Sequence, residues 1–576
     1  MIGCWSPRQL LLVATLACAP AFSIPLCAAQ NQIQYQQATY PVGGIVENSL
    51  THQPIARVLV GSIGNDVLTD SEGRFELQLP VGTAQIRLRR PGYAGQQPFG
   101  LPDAVQMVKI VPGMSPLTLY LTPAASIAAR VELSTGDEPD GIHFTLYQKR
   151  VVDGHGQWVP SSTASTDSQG LVRFLSLNPS VPYAICSEAS SDQPGPAAPG
   201  IIVYGYPATC FPGGADFATA IASPLALQPG QQAELDVDLT RQPFYPVSIS
   251  VAGSAQGRAP FVQVHSQAGL PLGFIAAPRS SANGTTNLNL PNGSYYADVR
   301  TGNDPNAQRY GRVDFTVAGG PVAGLSLVPL PETPIPVQIE RDFTADSNQH
   351  GASAIEWDGE LNGAGSGVNL SLVPADGSTG GNFGGNLLPA PGSANGDLYQ
   401  WHIAVQGHFW VHVDVMGPWY ISSITSGGVD LASQPLVIGP GGTAEPIQIT
   451  LRNDLGKLAC TLALPPSSPT AANSSVSEIN PVYVYAVPLF PTVMHMPQST
   501  AQPPGQPSYP FSLPPGDYLV VASSSPQEFD LDDPQERSRL AAEGRRVTIQ
   551  SGETTTVQLD TVITDAPQGN PAEASQ

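Results

Sequence analysis

Thr69-Asp-Ser-Glu-Gly-Arg-Phe-Glu-Leu-Gln-Leu-Pro-Val-Gly-Thr-Ala-Gln-Ile-Arg-Leu88 holds two strands and the turns that start and join them. Asp70-Ser-Glu-Gly73 is turn chemistry: an Asp side chain bonds nearby backbone, and Gly accepts positive φ. Phe75, Leu77 and Leu79 then alternate with polar residues, so a strand puts all three on one buried face. Pro80-Val-Gly82 reverses the chain into a second alternating run. Four further copies follow, beginning at Thr166, Ala282, Ala394 and Gly505. The spacing is too long for a solenoid repeat and suits a small domain.

Most copies restart after the second turn with Gly-x-Tyr or Gly-x-Phe. This predicts inward faces of Tyr295, Ala297 and Val299, of Phe409, Val411 and Val413, and of Tyr518, Val520 and Ala522. Copy two departs, with Val181-Pro-Tyr183. Each unit closes on another alternating strand, and the next begins within a few residues, at Ala128, Val247, Val337 and Leu458. Linkers this short predict a semi-rigid string. The expected fold is all-β, a tandem array of about five small antiparallel β-sandwiches.

The expected boundaries are 1–29 signal peptide, 30–38 Gln-rich leader, then sandwiches at 39–122, 123–241, 242–333, 334–454 and 455–562. A polar tail, 563–576, is expected to be disordered. In the signal, Arg8 precedes an apolar run from Leu10 to Ala19, and Cys27-Ala-Ala29 is a small-residue cleavage site. Residues Phe529 to Leu540 read as a helix, with Pro534 in its first turn and Asp532 or Asp533 as cap.

The first copy also carries a family likeness. Pro41-Val-Gly-Gly-Ile-Val46, Pro54-Ile-Ala-Arg-Val-Leu-Val60, Thr69 to Phe75, Leu79-Pro-Val-Gly82 and Arg90-Pro-Gly-Tyr93 together resemble the carboxypeptidase regulatory-like domain. That family has a transthyretin-like β-sandwich fold, and its domains are usually non-catalytic. In copies two and four, Tyr206-Pro-Ala-Thr-Cys-Phe-Pro-Gly213 and Trp419-Tyr-Ile-Ser-Ser-Ile-Thr-Ser-Gly-Gly-Val-Asp430 resemble tandem envelope proteins of acidobacterial type. The resemblance implies an exported, multi-domain envelope protein.

Charge narrows the partners. Charged residues make up 12% of the chain, lysine occurs only at 109, 149 and 457, and the net charge is −22. That argues against nucleic acid or an anionic lipid surface as the main partner. No later segment approaches the ~20 apolar residues of a spanning helix, so no integral membrane segment is expected in the mature chain. The expected location is periplasmic, outer-membrane-associated or extracellular, and the expected partner an envelope protein or a glycan.

Three of the six cysteines lie in the signal. Cys186 and Cys210 flank a loop rich in Pro, Gly and Ser, and an oxidising compartment favours a bridge between them. Cys460 alternates with Leu458 and Leu462, so it should point inward as a buried thiol.

No zinc-carboxypeptidase His-x-x-Glu pair, His-Glu-x-x-His, Cys-x-x-Cys, Gly-x-Ser-x-Gly or phosphate-binding loop is present in the sequence. No enzyme activity, cofactor or metal is expected. Asp137-Glu-Pro-Asp140 and Asp530-Leu-Asp-Asp533 read as solvated turns, with calcium as the alternative.

The fourth copy concentrates aromatic and imidazole groups: Trp357, Trp401, Trp410 and Trp419, with His350, His402, His408 and His412. After Gly407 the odd residues are apolar. His408, Trp410, His412 and Asp414 must therefore share the opposite face. A Trp beside polar groups on an open sheet face can stack a sugar ring. The other reading is packing of Trp410 under a loop such as 377–385. Two functions follow: a non-catalytic structural or interaction module of the envelope, or a carbohydrate-binding protein with its site on the fourth unit. A hydrolase of unrecognised type is a third, with no residues to carry it.

Overall fold

The computed structural model describes residues 39–559. Exceptions are 63–64, 95–103, 153, 180, 194–201, 215, 254–260, 274–283, 303–307, 345–366, 376–382, 392–396, 463–481, 494–497, 503–510 and 524–526. The signal, the leader, the tail, His350 and Trp357 lie outside the described residues.

The fold is all-β. One topological unit recurs five times. Each opening strand pairs antiparallel with the strand that follows the polar turn, and parallel with the strand that closes the unit. Thr39–Asn48 lies between Arg74–Pro80 and Leu117–Pro123. Ala125–Leu133 lies between Leu171–Leu177 and Gln232–Leu239. Gln242–Val251 lies between Thr285–Leu290 and Val322–Leu327. Ile335–Asp342 lies between Leu398–His402 and Ile447–Arg452. Gly456–Leu462 lies between Phe511–Leu513 and Thr554–Leu559. A second, antiparallel sheet covers each of these, and a separate apolar core fills each gap.

Alternation decides which side chains enter those cores. Phe75, Leu77 and Leu79 are buried, as are Tyr295, Ala297 and Val299, Phe409, Val411 and Val413, and Tyr518, Val520 and Ala522. Cys460 is buried in the fifth core and stays outside any disulfide.

The polar turn has the same chemistry in the first two units. Asp70 Oδ1 accepts from the amides of Glu72 and Arg74, both at 2.8 Å, and Gly73 sits at φ 74°. Asp167 Oδ1 accepts from Gln169 and Leu171 at 3.0 and 2.9 Å. The threonine before each Asp is buried. Thr69 Oγ1 donates to the Ile55 carbonyl at 2.8 Å and accepts from Val58 N at 2.9 Å, while Thr166 does the same with Pro139 and Ile142. Each hydroxyl thus satisfies two backbone groups that no strand partner reaches.

The Pro-x-Gly-x-Tyr copies share a second device. Tyr295 donates its hydroxyl to the Pro291 carbonyl at 2.9 Å, and Tyr518 to Pro514 at 2.8 Å, each closing the turn before its own strand. Copy two lacks the glycine. Its Tyr183 hydroxyl instead bonds Asn178, accepting from its amide at 3.0 Å and donating to its carbonyl at 3.2 Å. Burial pushes the Tyr183 phenol up to about 12.

Two short α-helices occur among the described residues. Pro534–Glu543 has Pro at its start and Asp533 as cap, accepting from Gln535 N at 2.8 Å. Phe217–Ala222 has no counterpart in the sequence reading. Asp216 caps it, and it lays Phe217 and Ala220 over Tyr147 and the disulfide. No helix among the described residues is long and apolar enough to cross a membrane.

Neighbouring units interlock. The disulfide Cys186–Cys210 joins residues directly opposite each other on adjacent strands. The loop it closes sends Val203–Tyr206 onto the edge of the third unit's opening strand. Ala189 and Ala208, from the same region, enter the third core. The fifth unit does likewise to the fourth: Val493 is buried in the fourth core, and its carbonyl accepts from Val413 N at 3.1 Å.

Candidate functional site

The strand Gly407–Val415 pairs with Val368–Pro374, placing Trp410 opposite Val373, His412 opposite Ser371 and Asp414 opposite Asn369. Phe409, Val411 and Val413 point into the fourth core. His408, Trp410, His412 and Asp414 alternate with them onto the other side. Their exposures differ sharply: His408 is exposed, Trp410 and Asp414 are half-buried, and His412 is buried at 8%.

What covers Trp410 comes from another unit. His155 lies parallel to it, with ring centroids 5.6 Å apart and planes 11° from each other. His155 is carried by a long hairpin of the second unit, His143–Val152 and His155–Ser165. Its Nδ1 is 2.9 Å from Asp532 Oδ2 of the fifth unit. Along the same hairpin, Lys149 Nζ meets Asp530 Oδ2 at 2.6 Å. Val151 N donates to Glu528 Oε2 at 3.1 Å, and Leu531 N donates to the Gly154 carbonyl at 2.7 Å. Partial loss of water around the Glu528 carboxyl raises it, although the residue keeps an exposed side.

Three units therefore meet at Trp410. Of the loop named in the packing reading, only residues 383–385 are described, and Phe383 contacts Phe409 edge-on at 5.8 Å. The Asp530-Leu-Asp-Asp533 cluster is a turn that is only partly solvated, with Asp532 exposed and Asp530 largely covered. Asp530 is paired to Lys149, Asp532 to His155, and Asp533 caps the helix. Asp137 and Asp140 do lie exposed. Among the described residues, no group of three or more His, Cys, Asp or Glu is placed to hold a metal ion.

A second polar cluster escaped the sequence reading. It lies on the outer face of the third unit's sheet, where Val262–Ser266, Gly293–Thr301 and Arg309–Val317 run side by side. His265 stacks on Tyr296 at 4.7 Å, and Arg312 sits 3.8 Å from the centre of the same ring. Asp298 is 3.8 Å from His265 Nε2, and Asp314 is 2.8 Å from Arg312 Nη2. Burial pushes the Asp298 carboxyl up and the His265 imidazole down.

The cluster continues into the seam with the fourth unit. Arg300 lies 6.0 Å from the Phe383 ring, and Arg312 Nη1 donates to the Gln406 carbonyl at 3.5 Å. Glu332, with 4% of its side chain exposed, is 3.9 Å from His402 Nδ1, and burial raises its carboxyl. The pattern Tyr296, Asp298, Arg300 alternates with the buried Tyr295, Ala297 and Val299, so parity alone could have found these three. Their partners His265 and Arg312 depend on strand pairing.

No protein-family model matches this chain, and no curated protein matches it. Solved structures do match. The Bacillus anthracis TIE protein aligns over 91% of this chain and 69% of its own, at 9% identity and a TM-score of 0.13. A Streptococcal ancillary pilin aligns over 51% of this chain and 100% of its own, at 12% identity and a TM-score of 0.16. A mutant of the shaft pilin SpaA from Lactobacillus rhamnosus GG aligns over 36% and 98%, at 9% identity and a TM-score of 0.19. TM-scores this low carry no conclusion about what this chain does.

Proposed function

We propose that the chain is an exported, non-catalytic, multi-domain β-sandwich protein with a structural or interaction role in the cell envelope, built of carboxypeptidase regulatory-like units with the boundaries given above. The observation that carries the reading is the interlocking of units that each have their own core. One unit lends a strand to the next, and another lends a core residue to the one before. Such joints resist relative rotation of the two units they join, units two and three or units four and five, which suits a spacer or scaffold built of paired modules. The disulfide fits an oxidising compartment.

Fractionation of cells making the full chain tests this. The protein should appear in the envelope or medium, oxidised at Cys186 and Cys210, with a mature N-terminus near Gln30. Recovery from the cytosol with residues 1–29 intact and both thiols reduced would overturn it.

The second reading is a glycan site at Trp410, with His408, His412 and Asp414 beside it. The Trp410 ring already accepts a parallel flat partner, which favours the reading. That partner is His155, so a sugar ring has to displace it. Binding of the purified chain on a glycan array, lost in Trp410→Ala, would support this site.

A further inference from the structure

The contact between the second and fifth units is of a different kind from the joints between neighbours. Units two and three share a paired strand and a core, and units four and five share a core. Among its described residues, the hairpin 143–165 adds none to the fourth or fifth core. It holds residues 528–532 through the Lys149–Asp530 and His155–Asp532 pairs, one amide to Glu528 and one backbone bond from Leu531 to Gly154. Its paired members are unevenly wet: Asp532 is 64% exposed, His155 36%, Lys149 32% and Asp530 13%. The outer pair, His155 with Asp532, is the one that water and salt weaken most, while Lys149 with Asp530 forms the tighter, drier hold.

We infer that the second and fifth units form a reversible electrostatic latch, which when closed covers the Trp410 face of the fourth unit and when open uncovers it. The geometry carries this in three ways. The contact joins units far apart in sequence, so opening it breaks no chain connection. The partners are complementary, with the Lys149 ammonium and the His155 ring nitrogen on the hairpin facing the carboxylates of Asp530 and Asp532 on the loop, beside Glu528. The His155 ring is stacked on Trp410 and paired with Asp532 at once, so movement of the hairpin away from the fifth unit carries the ring off Trp410. The latch thus couples the separation of two units to the accessibility of one aromatic face, and it stands whether or not that face binds a sugar.

A charge swap in the full oxidised chain tests it. Lys149→Asp and Asp530→Lys, each alone, should place like charges across the contact, enlarge the radius of gyration in small-angle scattering and increase acrylamide quenching of tryptophan fluorescence. The added quenching should vanish when Trp410→Phe is also present. The double swap should return both quantities toward the wild type, which also separates latch opening from misfolding of either unit. Single variants as compact as the wild type, or a double swap as expanded as the singles, would overturn the latch.

Discussion

Trp410 of the fourth unit and His155 of the second lie face to face, 5.6 Å apart and 11° from parallel, although 255 positions separate them in the chain. A stacked pair of this kind contributes about 0.5–1.5 kcal/mol beyond area burial. Trp410→Ala should therefore lower the stability of the closed arrangement by at least about 0.5–1.5 kcal/mol, since the buried indole area is lost as well. The fourth core should stay intact, because Phe409, Val411 and Val413 point the other way. Urea unfolding followed by far-UV circular dichroism checks this. Collapse of the whole fourth unit would show that the ring is core packing.

The buried threonines make a sharper stability prediction. Thr69→Val keeps the shape but removes the hydroxyl that serves the Ile55 carbonyl and Val58 amide. Leaving buried backbone groups unpaired costs about 1–3 kcal/mol. The first unit should lose about that much, and Thr166→Val should do the same to the second. Serine at either position should lose less. Chemical denaturation of each variant decides it, and a neutral Thr69→Val would contradict the assignment.

Reduction should act on two units through one bond. Cys186→Ala with Cys210→Ala should cost the second unit roughly 3 kcal/mol by the chain-entropy argument. It should also loosen Val203–Tyr206 from the third unit's edge. Faster amide hydrogen exchange there, with the first unit unchanged, is the expected signature. Protection unchanged at 203–206 would show that the strand holds without the bridge.

The Glu332 carboxyl gives a pH test at the seam of the third and fourth units. Burial raises its folded pKa above the unfolded value. The folded state therefore holds the proton more tightly, and this group's stabilising contribution is lost as pH rises through the raised value. Glu332→Gln carries no such titration. Relative to the wild type, it should gain thermal stability as pH rises above the ordinary glutamate range, about pH 4. A gain running the other way would show that His402 pairs with an ionised carboxylate there.

The reach of the sequence can be judged residue by residue. Alternation located Phe75, Leu77 and Leu79 in their core, because one face of a strand must leave water and the period is two. The cap of the helix was readable to within one residue, Asp532 or Asp533, because capping is local chemistry, and the structure places Asp533 there. The bridging role of Thr69 was not, since its partners lie 14 and 11 positions away. His155 over Trp410 was still less accessible, because no local rule links a hairpin of one unit to a strand of another. The same holds for Asp530: its place beside other acids predicts a wet turn, and only the fold brings Lys149 of the second unit against it.

Single-molecule extension of the oxidised full chain tests the tandem, interlocked account most directly. The account predicts five separate unfolding events, one for each core. The event of the second unit should be shortened, because the bridge between Cys186 and Cys210 keeps the 24-position span between them from extending, and that length, about 3.3–3.6 Å per residue, should return on reduction. A single cooperative event spanning the whole chain, or a second event unchanged by reductant, would contradict it.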